Sequence, residues 1–281
     1  MTMLTLRPRV TFEIPVEAEI LTPERLTGLS ADQIAVLPLA WGRRTRPLGE
    51  LLEIEAERAE FPEGDGPPRL ILEGDFSRVK KIGKGMTRGS LEIRGDAGMH
   101  LGSGMSGGEI RVSGNADAWA GAMMSGGLLD IGGDAGPYLA GAYPGETRGM
   151  RGGTLLVRGN AANRAGEGMR RGLIAVAGRT GDFPCARFVA GTMVVFGTLG
   201  DRAGAGSKRG TLAALGGLEG EILPTYQEAC RYRPLFLLPM LRFLKERGFP
   251  VRPEHQSGLY RRWTGDVNTL GKGEILVHEE P

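Results

Sequence analysis

Three histidines, His100, His255 and His278, and two cysteines, Cys185 and Cys230, are the whole stock of imidazole bases and soft metal ligands in this 281-residue chain. No two stand at metal-site spacing, and neither a phosphate loop ending in GK[ST] nor an HExxH helix accompanies them. Two distant cysteines make no disulfide framework, which fits a reducing compartment. A column of short polar residues beside glycine, Asp75, Asp96, Asn115, Asp134 and Asn160, offers oxygen ligands at regular spacing. Such residues are turn formers first, so a metal ladder is the lesser reading. Glu92, Asp130 and Asp134 would be the carboxylates of a polysaccharide-cleaving face, yet aromatic residues for sugar stacking make up only 6% of the chain. Catalysis needs a nucleophile, a base and a charge stabiliser in one place, and the sequence assembles none. The expectation is no catalytic residue and no metal ligand.

What the spacing does describe is architecture. Units open at Gly74, Gly95, Gly114, Gly133, Gly159, Gly178 and Gly197 and close at Gly216; five of the seven are nineteen residues long. The fourth carries seven extra residues, placed at YPGETRG, 143–149. A period near twenty marks a solenoid. Each unit ends in alternating apolar residues (Leu91/Ile93, Ile110/Val112, Leu129/Ile131, Leu155/Val157, Ile174/Val176, Met193/Val195, Leu212/Ala214), the period of a strand. With 47 glycines, helical repeats are excluded, since each glycine in a helix costs about 1 kcal/mol. The predicted class is mainly β: a right-handed parallel β-helix of about seven 19-residue coils over 73–216, with a small α/β cap over 1–72 and a C-terminal helix and extended tail over 217–281. Glycines two positions before the first inward residue, such as Gly153 and Gly172, mark corners that need φ > 0 or leave no room for a Cβ. Met86, Met105, Met124, Met150 and Met169, followed by Phe188 and Ser207, are expected to form an internal ladder rather than a soft-metal site.

In the flanks, TPERL at 22–26 and SADQI at 30–34 carry helix-start signals, with Ser30 and Gln33 at capping-box spacing. An amphipathic helix is predicted over 234–247, closed by Gly248 and Pro250, and the sequence after it reads as irregular. The outward strand positions begin charged, with Glu92, Arg111 and Asp130, and turn apolar at Leu156, Ala175, Val194 and Ala213. Either the C-terminal helix folds back over that apolar row or another protein covers it. Basic residues recur at the corners, Arg151, Arg170, Arg171, Lys208 and Arg209. They either solvate an edge or dock an acidic partner or a polyanionic cofactor. These nine residues are the partner-interface candidates.

A net charge of +2 made of dense charge of both signs argues against a nucleic-acid or membrane surface. The longest apolar stretch, 234–244, is interrupted by Pro239 and Arg242 and is too short to span a bilayer, and the opening residues do not read as a signal peptide. The expectation is a cytoplasmic protein.

The flanks and coils together resemble a family: the C-type subunits of formylmethanofuran dehydrogenase and of the bacterial formyltransferase/hydrolase complex. The resemblance rests on LTLRP and PVEAEILTPERL near the start, LPLAWGRRTRPLGELLEIE at 37–55, the glycine-rich units, and YRRWTGDVNTLGKGEIL in the tail. The units also resemble the GXGXG β-helix domain of glutamate synthase. The resemblance implies a non-catalytic member of a larger complex in one-carbon metabolism. Amidohydrolase-like, formyltransferase and redox-derived partner subunits would carry a metal hydrolase centre and act on tetrahydromethanopterin and a methanofuran-type carrier. Abundant arginine beside only six lysines leans toward a GC-rich bacterium and the hydrolase version. The alternatives are the C-type subunit of a molybdenum or tungsten dehydrogenase and a stand-alone carbohydrate-active β-helix.

Overall fold

The computed structural model describes residues 3–56 and 68–279. The chain opens with β1 (Met3–Pro8), β2 (Val16–Glu17), the one-turn helices α1 (Pro23–Leu26) and α2 (Ala31–Ala35), the hairpin β3 (Pro38–Trp41) and β4 (Arg44–Pro47), α3 (Leu48–Leu51) and β5 (Leu52–Ala56). β6 (Arg69–Glu73) and β7 (Val79–Lys80) follow. The capping box forms as its spacing requires: Gln33 N–H donates to Ser30 Oγ at 3.3 Å and Ser30 N–H to Gln33 Oε1 at 2.8 Å. Thr22 stands at the N-cap of α1, but its hydroxyl makes no capping bond. Glu19 accepts from Lys81 and Lys84 Nζ, each at 2.9 Å, and these bonds hold its carboxyl down to about 2. The N-terminal segment is thereby pinned to the first repeat unit.

One strand then comes from each unit: β8 (Ser90–Arg94), β9 (Glu109–Val112), β10 (Leu128–Ile131), β11 (Thr154–Val157), β12 (Leu173–Val176), β13 (Thr192–Val195) and β14 (Arg209–Ala214). Neighbours pair in parallel with the alternating residues in register, so that Leu91, Ile110, Leu129, Leu155, Ile174, Met193 and Leu212 form one row. All seven are at most 1% exposed. The methionine ladder is likewise interior, with Met86, Met105, Met124, Met150 and Met169 at 0% exposure and Phe188 at 2%. Two kinds of glycine permit the stacking. Gly172 has φ +106, and a Cβ there would lie 2.7 Å from the carbonyl oxygen of Gly153 in the unit before. Gly114 has no such φ, but a Cβ on it would lie 2.8 Å from the Gly95 carbonyl oxygen.

After the repeats come β15 (Gln227–Tyr232), a 3-10 turn (Leu235–Leu237), α4 (Leu238–Glu246), α5 (Pro253–Ser257), β16 (Tyr260–Gly265) and β17 (Lys272–His278). The result is mainly β: a 13-stranded, mostly parallel sheet ordered β15-β16-β17-β14-β13-β12-β11-β10-β9-β8-β6-β1-β5, and a second sheet ordered β4-β3-β2-β7. Two expectations change here. The helix is shorter than 234–247 because Pro239, lacking an N–H, is tolerated only in a first turn. The tail is not irregular: β17 pairs in parallel with β14, placing Ile275 beside Leu212 and Val277 beside Ala214. The inward rows thus run past the last repeat.

Candidate partner interface

The outward row of the sheet divides in two. Leu156, Ala175, Val194 and Ala213 are each 0% exposed and pack with Leu237, Leu241 and Leu244 of the α4 region, together with Phe249, Tyr260 and Leu276. Of the two covers open to that row, the chain's own helix occupies it, because burying each leucine stabilises by about 1.5–3 kcal/mol. These four residues therefore present no surface to a partner in this conformation. Arg158 fastens the cover: Nε and Nη2 reach the Asp130 carboxylate at 3.0 and 2.8 Å, and the guanidinium lies 4.7 Å from the Phe249 ring centroid.

The basic candidates lie elsewhere. Arg151, Arg171, Lys208 and Arg209 are exposed and Arg170 is half-buried, all at the corners that lead into β11, β12 and β14. Among the described residues none of the five has an ion-pair partner, whereas the nearby Arg164 and Arg187 both pair with the buried Glu167. Lys272 of β17 stands beside Arg209 and extends the corner. Cations without an ion-pair partner among the described residues thus stand at three corners, with Val189 and Ala190 at the intervening corner before β13.

The other polar groups are absorbed by the fold. Asn115, Asp134, Asn160 and Arg179 each donate a backbone N–H to the side-chain oxygen of Asp96, Asn115, Asp134 and Asn160, respectively, at 2.6–3.0 Å. The Asx column thus ties unit to unit. Among the described residues no three of His, Cys, Asp or Glu gather where they could hold a metal ion. Ser106, in the GxSxG-spaced stretch 104–108, is an exposed corner residue without a histidine partner among the described residues. Cys185 is buried, which raises its thiol pKa, while Cys230 is exposed on β15. His255 and His278 are buried with ring centroids 5.1 Å apart; burial, then Arg252 and His278, push His255 down to about 4. No helix of the described residues is long and apolar enough to cross a membrane.

His100, which reads from sequence as an ordinary surface residue, belongs to a column not recognised there. Lys81, His100, Trp119, Tyr138, Arg164, Phe183 and Arg202 all hold φ between 55° and 65°. His100 stacks on Trp119 at 5.4 Å and Trp119 on Tyr138 at 4.9 Å. The unit length was the available signal, since it brings these large side chains into one column.

No family model matches the chain. The C-type subunit of the molybdenum-containing formylmethanofuran dehydrogenase 1 from Methanothermobacter thermautotrophicus is 44% identical over 95 residues, 34% of this chain and 22% of the relative. The Methanosarcina barkeri counterpart is 38% identical over 101 residues, 36% of this chain and 33% of the relative. The C-type subunit of the tungsten-containing formylmethanofuran dehydrogenase 2 from Methanothermobacter wolfeii is 37% identical over 101 residues, 36% of each. The chain thus spans about a fifth to a third of the length of these curated relatives. A chain in the crystal structure of the formyltransferase/hydrolase complex (FhcABCD) from Methylorubrum extorquens, in complex with methylofuran, superposes with a TM-score of 0.88 at 38% identity, covering 98% of this chain and 100% of that one. Such likeness along the whole length, on the fold just described, makes this chain a member of the C-type family of subunits found in formyltransferase/hydrolase complexes and formylmethanofuran dehydrogenases.

Proposed function

We propose that the chain is the non-catalytic assembly subunit of a cytoplasmic formyltransferase/hydrolase complex, which converts formyl-tetrahydromethanopterin to formate through a methanofuran-type carrier. The observation that carries this is the full-length match, at 38% identity, to a chain of such a complex. In this reading residues 73–216 wind as a right-handed parallel β-helix of about seven coils, residues 1–72 and 217–281 close its ends, and the in-register strands support that winding. The amidohydrolase-like, formyltransferase and redox-derived partners carry the metal centre and the carriers. The curated relatives favour a second reading, the C-type subunit of a molybdenum or tungsten formylmethanofuran dehydrogenase.

Arg151, Arg170, Arg171, Lys208 and Arg209 are the docking residues in this proposal, facing an acidic surface of a partner subunit. That none of them has an ion-pair partner among the described residues supports it, because a cation already paired gains little from a second partner. Affinity purification of the tagged chain from its native source, with mass spectrometry of what co-elutes, tests the assembly role. Hydrolase and formyltransferase subunits are the expected companions; a molybdenum or tungsten subunit would favour the second reading, and a chain eluting alone would end both. The double charge reversal Arg171→Glu/Lys208→Glu is expected to weaken association at least tenfold and to flatten its salt dependence, with folding unchanged.

A further inference from the structure

Left-handed backbone normally goes to glycine; Met123, Ala140, Cys185 and Arg187 are scattered exceptions, and one column of the repeat holds no glycine among its members. The non-glycine residues at φ 55° to 65° each cost roughly 1 kcal/mol relative to glycine. Two positions further along, most units use glycine, as at Gly83, Gly102 and Gly121. Large side chains are therefore retained where small ones would be easier, and such outliers point to function.

Ring geometry narrows what the column can meet. Trp119 lies between His100 and Tyr138, with interplanar angles of 20° and 7°, and the Arg164 guanidinium lies 5.8 Å from the Tyr138 centroid. The central faces are used within the stack, so a sugar ring or nucleobase, which needs a free face, gains nothing there. Half-buried Trp, Tyr and Arg side chains held rigid are instead the residues that dominate protein–protein contacts.

A separate observation brings in the fourth unit. Its seven extra residues reach the same column: the Tyr143 hydroxyl is 2.9 Å from His100 Nδ1, and its ring is 6.2 Å from that of Trp119. Anchored this way, the insertion exposes Pro144, Gly145, Glu146, Thr147 and Arg148. Insertions in solenoids gather on the binding face. At one end of the column Lys81 is already paired with Glu17 and Glu19, while at the other Arg202, exposed and without an ion-pair partner among the described residues, lies over the Phe183 ring.

We propose that the aromatic column and the 143–149 insertion form a second docking surface, using different residues from the basic corner, for an apolar surface of another subunit that sets a carboxylate against Arg202. This rests on the assembly role proposed above. The test places a bulky maleimide label on Thr147→Cys in a Cys230→Ser background, Cys185 being buried, and measures association with the purified partner subunits beside hydrogen exchange of the unlabelled chain. Association at least tenfold weaker on labelling, with an unchanged melting temperature and with exchange protection at 117–123 and 137–148 in the complex, is the expected result. Assembly unaffected by the label, with protection confined to other segments, would overturn this surface and leave the assembly role standing. An unlabelled chain that joins no partner would remove both. Protection of these segments by a small molecule in place of a protein partner would also overturn it.

Discussion

Trp119 and Gly172 both hold positive φ, and they reach it for opposite reasons. At Gly172 the fold leaves no room for a Cβ, so the residue type follows from the corner, and the nineteen-residue recurrence of glycine made that corner legible in the sequence. At Trp119 the backbone is strained and the stack with His100 and Tyr138 compensates. No local preference of tryptophan announces a left-handed conformation, so only the nineteen-residue spacing of these large side chains pointed to the column. Trp119→Ala loses the stack and keeps the strain, whereas Trp119→Gly loses the stack and releases it. The glycine variant is therefore expected to be the more stable of the two by about 1 kcal/mol in urea denaturation. An alanine variant equal to or more stable than the glycine variant would show that the backbone is not strained there.

Among elements, α4 decides which part of the sheet remains outside. Its amphipathic pattern and the apolar outward row were both readable, but a sequence that shows two apolar faces does not say that they face each other. Arg158 is the fastening point, and Arg158→Ala is expected to cost about 1–3 kcal/mol in denaturant titration of the isolated chain, with faster amide exchange over 238–249. The packing around α5 makes one contribution to the pH dependence of stability. His255, 3% exposed, has its pKa lowered to about 4 by burial and by the neighbouring Arg252 and His278, while Glu254 opposes the shift. A histidine with a depressed folded-state pKa is favoured neutral, so its contribution is full above the unfolded value of about 6.5 and declines as pH falls toward 4. Thermal unfolding should accordingly occur at lower temperature as pH drops through that window, and His255→Phe should flatten the slope.

For the whole molecule, the parallel ladder needs closure at both ends, since an open strand edge recruits further strands. β17 supplies it at one end: it pairs along β14, then turns the sheet antiparallel through β16 and β15. Ending the chain at Gly258 would expose the β14 edge and uncover Leu212. The truncated protein is expected to aggregate, to be checked by light scattering of the purified fraction against the full chain; a monodisperse truncated chain would show that the repeats need no such closure.

The sequence by itself determined the repeat, the strand within each unit, the inward rows, the methionine ladder and the glycine corners. Each is a local pattern multiplied by a fixed period, and periodic stacking turns sequence spacing directly into spatial contact. Only the tertiary structure decided that α4 covers Leu156, Ala175, Val194 and Ala213, that the tail continues the ladder, and that Tyr143 reaches His100. Those contacts join segments outside the period, where nothing in residue spacing fixes the partner and the choice falls to complementary shape and burial.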